Sequence, residues 1–532
     1  MTETQRVTSP TSRVRPDRWL QHLVDSTPWH EKTLIFFLML VGCFSLFFLL
    51  STLTAPVLDQ HAFRQAQTAI NIYYAIHEGS VIAYQTPVLG SPWEAPFEGP
   101  VYQTIVAGLV ALTGMSIDAA GRLVSYGFFL GTIWMVGLII RMLLPRDRFA
   151  LIVFATLMLA SPLYLFWGRT VLIETCAIFF GAAWLYLALR ATRKNDLILA
   201  LFSIPICILA AFAKATSWPA FVVGLGIFWA FDWRRGFTPP FLTALTISAG
   251  ILLALLASFW WIAFSDEIKS AGPLSRELTS TALTTWNYGT MESRFSARLW
   301  SDLLPRRMLQ DLFGFGWLVV LIAFTHLNWR ESYFWTALGA IVLFFVPLSL
   351  FTNLHLVHNY YQTANGLFLI AAAAIVISGL ARKGHVRVAV GICVLVLIAQ
   401  VIRFSEAYWP LVTANTRAQP YYQAAQFIRT ASTRGTALIT FGIDWNPMLH
   451  YYSERKGVAV PGWIPSAEIM RSIIADREMT GGLEIGSIIA CSPLGFDNRP
   501  ELKQVITEFI KDAEQRSLRE ERFADCTAIV LK

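Results

Sequence analysis

Leu58–Gly79, LDQHAFRQAQTAINIYYAIHEG, follows directly on the first long apolar run of the chain. Drawn on a helix, His61, Arg64, Gln65, Thr68 and Asn71 share one arc, while Ala62, Phe63, Ala66, Ala69, Ile70 and Tyr73 share the other. Asp59 stands just ahead, where an acidic side chain can cap the helix and also face a site. An amphipathic helix at a water boundary, with one carboxylate and one arginine together, has two readings. It lies on lipid as an interfacial helix, or it is the lip of an active site. In the second case its apolar arc rests on the membrane surface and its polar arc holds Asp59 and Arg64 over a headgroup. The surroundings of the stretch decide between them.

Those surroundings are mostly membrane. The chain has 532 residues, 55% of them hydrophobic and only 14% charged, with 19 Trp and 38 Phe. A soluble globular protein carries roughly 25% charged residues. Crossing a bilayer takes about 20 apolar residues, and such runs recur through the first three-quarters of the chain. They cover Leu34–Leu53, Leu123–Leu143, Phe149–Phe166, Val171–Leu189, Leu197–Ala213, Pro219–Phe231, Phe241–Phe264, Phe313–Phe324, Tyr333–Phe351, Gly366–Leu380 and Val386–Ile402. Val101–Met115 is shorter and reads as an interfacial or re-entrant helix. The fold class is a polytopic α-helical membrane protein with about 11–13 transmembrane helices.

The net charge of +7 does not signal nucleic-acid binding, because Lys and Arg concentrate in short loops between apolar runs. Arg141–Arg148, Arg190–Lys194, Trp233–Arg235, Trp329–Glu331 and Arg382–Arg387 are then cytoplasmic. Residues 1–32, with Arg6, Arg13, Arg15, Arg18 and Lys32, read as a cytoplasmic tail and not as a cleaved signal. Residues 33–403 form the membrane domain, with its first extracytoplasmic loop at 54–100. The C-terminus falls outside.

From about residue 404 to 532 the pattern changes. TALITFG, GVAVPG, EIGSIIAC and TAIVL read as strands, separated by helical segments such as PYYQAAQFIRTAS and PELKQVITEFIKDAEQ. That alternation predicts a small extracytoplasmic α/β domain with a largely parallel sheet. No GxGxxG follows its strands, so nucleotide binding has no support there. Cys491 and Cys526 lie in this part, where a disulfide is permitted. Cys43, Cys176, Cys207 and Cys393 lie in apolar runs and read as inert core residues.

Ionisable groups at membrane depth are costly, so they are functional or paired. In this topology they gather on the far side. Asp59, His61, Arg64 and Gln65 come first, then Glu94, Glu98 and Tyr102 in SPWEAPFEGPVYQ, where three prolines forbid a continuous helix. Arg169 and Glu174 flank a span boundary, and Lys214 ends another; His355, His358, Tyr360 and Tyr361 sit in FTNLHLVHNYY. Each has a plainer alternative. Arg169 and Glu174 fit a structural ion pair, Lys214 fits a snorkelling lysine, the tyrosines fit an aromatic belt, and Glu94 fits a solvated loop charge. His355 and His358 lack further close ligands, so no metal set is visible and metal dependence stays open.

The inventory suits sugar transfer from a lipid phosphate. A carboxylate takes the acceptor's proton, and cations steady the departing phosphate, which needs no general acid. Direct displacement inverts the anomeric carbon.

DQHAFRQAQTA resembles the first-loop motif of the GT-C superfamily of polyprenyl-phosphate-sugar-dependent glycosyltransferases. The branch is that of the aminoarabinose transferase for lipid A and the protein O-mannosyltransferases, where an Asp precedes a short helix carrying Arg, Gln and Thr-Ala. PFEGPVYQ is similar to the Pro-Leu-Tyr segment after that loop, and HNYY resembles its late His-x-Tyr-Tyr. The resemblance implies Asp59 as the catalytic carboxylate. The first loop has a single Asp and not the Asp-Glu pair of protein O-mannosyltransferases, which leaves the acceptor open among glycolipid, polysaccharide and protein.

The combined expectation is an inverting glycosyltransferase of the bacterial inner (plasma) membrane, using a polyprenyl-phosphate sugar donor. Asp59 is its base, and Glu98 is a second carboxylate positioning the acceptor or assisting Asp59. Arg64, Arg169 and Lys214 meet the donor phosphate. His61, Gln65, Glu94, Tyr102, Glu174, His358, Tyr360 and Tyr361 line the pocket. The alternative is a transporter or flippase of lipid-linked sugars; such proteins tend to show internal repeats and midplane polar residues, and neither is visible here.

Overall fold

The computed structural model describes residues 28–234, 236–475 and 477–532. Most of the tail expected at 1–32, with its four early arginines, lies outside the described residues. Each of the eleven apolar runs is helical over most of its length. Among the described residues eight helices are long and apolar enough to cross a membrane: Trp29–Thr52, Ile117–Leu143, Glu174–Lys194, Phe241–Ser270, the composite stretch Arg298–Thr325, Ser332–Leu350, Asn359–Arg382 and Val386–Ala407. Arg148–Ala160, Leu197–Ala213 and Trp218–Arg234 are shorter, at 13, 17 and 17 residues.

Burial sorts these helices. Asn359–Arg382 is the inner one, with 89% of its most apolar window buried, whereas Trp29–Thr52 and Phe241–Ser270 bury only 22%. Phe36, Met39, Phe47, Leu252, Leu256 and Phe259 are correspondingly exposed, as a lipid-facing surface requires. The inner helix has an all-alanine run, Ala371–Ala374, and Gly366, where an added Cβ would lie 2.6 Å from Leu312 Cδ2. Small residues there let backbones approach closely.

At one end of the bundle acidic residues cap helices. Asp147 accepts from the Ala150 N–H at 3.0 Å and from Tyr333 and Ser378, each at 2.6 Å. Asp196 accepts from the Leu199 N–H at 2.9 Å. The opposite end carries the first loop and the α/β domain. The domain's sheet has the order β2-β1-β3-β5-β4, with β1 Ala437–Phe441, β2 Gly457–Ala459, β3 Ile485–Cys491, β4 Ser517–Phe523 and β5 Cys526–Leu531. β1 runs parallel to β2 and β3, while β5 is antiparallel to both β3 and β4. The sheet is therefore mixed where a largely parallel one was expected. The difference is the hairpin of β4 and β5, because SLREERF has no apolar alternation to mark it as a strand. Cys491 and Cys526 oppose one another on β3 and β5 and are joined by a disulfide.

The first loop is welded to this sheet. Pro87–Gly90 runs antiparallel along β2, with Leu89 opposite Val458. Ala459 N–H donates to Val88 O at 2.8 Å and Gly457 N–H to Pro87 O at 3.1 Å. The exposed edge of β2 is thus covered, which removes an open template for pairing.

His450, fully buried beside β1, gives the domain an acid-labile point. Its Nδ1 lies 3.1 Å from Arg455 O, and burial pushes the imidazole down to about 4 from 6.5. The unfolded chain therefore binds the extra proton first as pH falls. Stability from this group is full above pH 6.5 and is lost towards pH 4, amounting to about 2 kcal/mol by about pH 5. The thermal midpoint of the intact protein in detergent is expected to drop between pH 7.5 and 5, and His450→Gln to flatten part of that drop. Identical pH dependence in the variant and the parent would contradict this.

Candidate active site

The first-loop helix spans Ala62–Glu78, and His61 before it is left-handed, with φ 52°. Asp59 does not cap it, nor does any side chain among the described residues. Nor does its apolar arc rest on lipid. Ala66 and Ala69 of that arc are fully buried in one cluster with Tyr102 and Val106 of the helix Val101–Thr113 and with Met448 and Leu449 of the α/β domain. Alanines at these positions let neighbouring helices close over the arc, so protein replaces the membrane surface.

Asp59 turns inward instead. Its side chain is 4% exposed; Arg169 Nη2 lies 3.3 Å and Arg122 Nη2 3.8 Å from Oδ2. Gln65 Nε2 donates to Oδ1, and Gln65 Oε1 accepts from the Val171 N–H at 3.2 Å. Arg169 is held between the rings of Phe48 and Phe166, at 4.7 and 5.0 Å, and its Nε and Nη1 have no hydrogen-bond partner among the described residues. Arg169 therefore pairs with Asp59 and not with Glu174, and at 1% exposure its side chain stands behind the carboxylate, away from any open face.

Glu98 is the second carboxylate. Its backbone is fixed on both sides: Tyr84 Oη–H donates to Glu98 O at 3.0 Å, Gly99 N–H to Phe212 O at 3.0 Å and Trp261 Nε1–H to Phe97 O at 2.9 Å. Only glycine fits at 99, since a Cβ there would lie 2.8 Å from Phe212 O. The Glu98 side chain is 26% exposed and bonds Arg64 Nη2 at 2.7 Å. Burial pushes its carboxyl up, but Arg64 and then Lys214 outweigh this and hold it below the usual range. Lys214 bonds Glu174, and its Nζ sits 3.9 Å from the centre of the Tyr361 ring. It is buried and paired, and it does not snorkel.

His61 completes the group. Its ring centre lies 5.0 Å from Tyr360, 5.2 Å from His358 and 5.6 Å from Trp167. His358 in turn stacks on Tyr360 and meets the half-exposed Trp286 at 6.0 Å. Burial pushes both imidazoles down, that of His358 to about 3, so both are neutral at physiological pH.

Asp59, His61, Arg64, Gln65, Glu98, Arg169, Glu174, Lys214, His358, Tyr360 and Tyr361 thus form one neighbourhood. Two expected residues lie apart from it. Tyr102 is fully buried and donates to Gly121 O at 2.8 Å, locking two helices together. Glu94 pairs across the loop with Gln85, beside Glu78 and Lys456, at the seam with the sheet.

Three functional candidates escaped the sequence reading. Arg122 contacts Asp59. Arg307 donates to the backbone oxygens of His355 and Leu356 and so fixes the histidine loop. Trp445, from the loop after β1, packs on Phe63 at 4.7 Å and Phe97 at 5.8 Å over the first loop. Asp118 and Arg122, four apart at a span boundary, were the available signal for the first. Among the described residues no group of three or more His, Cys, Asp or Glu side chains could hold a metal ion.

The fold has known counterparts. ArnT from Cupriavidus metallidurans, in its structure bound to undecaprenyl phosphate, superposes with a TM-score of 0.60 at 12% identity, covering 92% of this chain and 97% of that one. The chain has the GT-C fold. The apo oligosaccharyltransferase of Archaeoglobus fulgidus matches with a TM-score of 0.55 at 13% identity over 88% of this chain and 70% of that one. No family model and no curated protein sequence matches the chain.

Proposed function

We propose that this GT-C chain is an integral membrane glycosyltransferase that moves a sugar from a polyprenyl phosphate to an extracytoplasmic acceptor. One observation carries the reading: two carboxylates and their cations converge where the first loop, the bundle and the α/β domain meet, in the fold of an enzyme whose structure holds undecaprenyl phosphate.

The acceptor oxygen attacks the anomeric carbon and its proton passes to Asp59. The bond from that carbon to the phosphate oxygen breaks, polyprenyl phosphate leaves with the electron pair, and configuration inverts. Arg122, Arg169 and Gln65 fix the carboxylate, which pre-pays its orientation. Arg64, 20% exposed, is the open cation for the donor phosphate. Lys214 joins it by exchanging Glu174 for phosphate. Arg169, enclosed with Asp59, moves from the phosphate set to the support of the base. Glu98 orients the acceptor, while the neutral His61 and His358 with Tyr360 and Tyr361 wall the donor. On this reading the N-terminus is cytoplasmic and the α/β domain extracytoplasmic, where the disulfide is stable.

Purified protein supplied with labelled polyprenyl-phosphate sugars and candidate acceptors tests this. Glycosylated product with release of polyprenyl phosphate is expected. Transfer of intact labelled lipid across proteoliposomes, without phosphate release, would instead establish the transporter reading.

A further inference from the structure

The backbone of Thr54–Leu58, which delivers Asp59, is gripped at every residue by a distant side chain. Arg417 Nη2 donates to Thr54 O at 3.1 Å, Arg122 Nη1 to Ala55 O at 2.6 Å and Arg122 Nη2 to Pro56 O at 3.5 Å. The Val57 N–H donates to Tyr452 Oη at 2.6 Å, and Gln419 Nε2 donates to Leu58 O at 3.2 Å. The segment TAPVL has few backbone bonds of its own, so these groups decide its path. Three of the five grips come from beyond residue 403, outside the membrane domain.

The same groups close a chain of contacts. Asp118 and Arg122 sit four apart on the first turns of Ile117–Leu143 and so share a face. Tyr451 Oη–H donates to Asp118 Oδ1 at 2.6 Å, and Tyr452 Oη–H to Oδ2 at 3.0 Å. Tyr452 therefore accepts from the segment and donates to Asp118 at once. Burial, with Asp118 alongside, pushes both phenols well above their usual value, which keeps each a donor.

We infer that Tyr452, through Val57 and through Asp118 and Arg122, is a positioning residue for Asp59, so that the α/β domain sets the geometry of the membrane site and does more than cover it. This rests on Asp59 being the base. A base displaced by about 1 Å costs up to about 10²-fold in rate, and Tyr452→Phe deletes the hydroxyl at the junction while its ring stays packed on Tyr422 and Tyr451.

The full-length protein, assayed with labelled polyprenyl-phosphate sugar, should show kcat lowered about 10–10²-fold in Tyr452→Phe, with donor KM changed less than about threefold. On an Asp59→Asn background the same substitution should have no further effect, because its path to catalysis is gone. Gln419→Leu, which frees only Leu58 O and leaves the tyrosines in place, should lower kcat several-fold at unchanged KM. That second variant serves if Tyr452→Phe fails to fold. Unchanged kcat in a folded variant, or losses that multiply in the double variant, would overturn the inference while leaving Asp59 intact. An active Asp59→Asn would instead overturn the assignment beneath it.

Discussion

Asp59→Asn is expected to lower sugar transfer about 10²–10⁴-fold, the usual span for removing a general base. The amide keeps the size of the carboxylate and its bond from Gln65, but it cannot take the acceptor proton. It also strips the counter-charge from two arginines. Arg122 and Arg169 each have side chains 1% exposed, and Asp59 lies within 4 Å of both. Removing one partner of a buried pair costs about 3–5 kcal/mol, so the variant should also melt earlier. The two effects separate by measurement. Rates are taken well below the variant's thermal midpoint, and binding of radiolabelled polyprenyl phosphate is followed alongside. Lost turnover with retained lipid binding is the expected pattern, because in the proposed mechanism Asp59 serves the acceptor and Arg64 the donor. Full turnover by a folded variant would remove Asp59 from the chemistry and pass the role of base to Glu98, the more open carboxylate.

Why the sequence carried some of this and not the rest follows from particular residues. The spans were legible because hydropathy over about 20 residues is a local property, and the eleven apolar runs are eleven helices or helical stretches. Asp59 stood out by the resemblance of DQHAFRQAQTA to a first-loop motif, just after the first span. Its partners did not, because Arg122 and Arg169 reach it from stretches 63 and 110 positions along the chain. Arg169 and Glu174 invited pairing by proximity. Arg169 however lies before the helix that begins at Glu174, so the two share no helical face and each finds a partner elsewhere. The fate of the first-loop helix was equally non-local. Its amphipathic pattern reports one buried arc, and only the packing of the helix Val101–Thr113 and the α/β domain decides that protein buries it. β4 was hidden for a different reason, since an exposed edge strand made of charges lacks the alternation that marks a strand.

The second large effect concerns Lys214 and Glu174, each 3% exposed and bonded to one another. Lys214→Met leaves Glu174 buried and unpaired, with Oε2 already lacking a partner among the described residues. A loss of about 3–5 kcal/mol is expected, along with loss of the donor contact proposed for Lys214. A structural pair and a donor-binding lysine give the same single-variant result, so the double variant Lys214→Met/Glu174→Gln carries the decision. Replacing both members removes the unpaired charge, and buried pairs replaced by uncharged groups are often neutral in stability. The thermal midpoint should return close to that of the parent. Activity should not. A bond from a charged donor to phosphate contributes about 1.5–3 kcal/mol, so donor KM should stay raised about 10–10²-fold in the stable double variant. Recovery of both midpoint and KM would mean that Lys214 only balances Glu174. Of the cations proposed for the phosphate, Arg64 would then remain, and Arg64→Met alone should abolish donor binding.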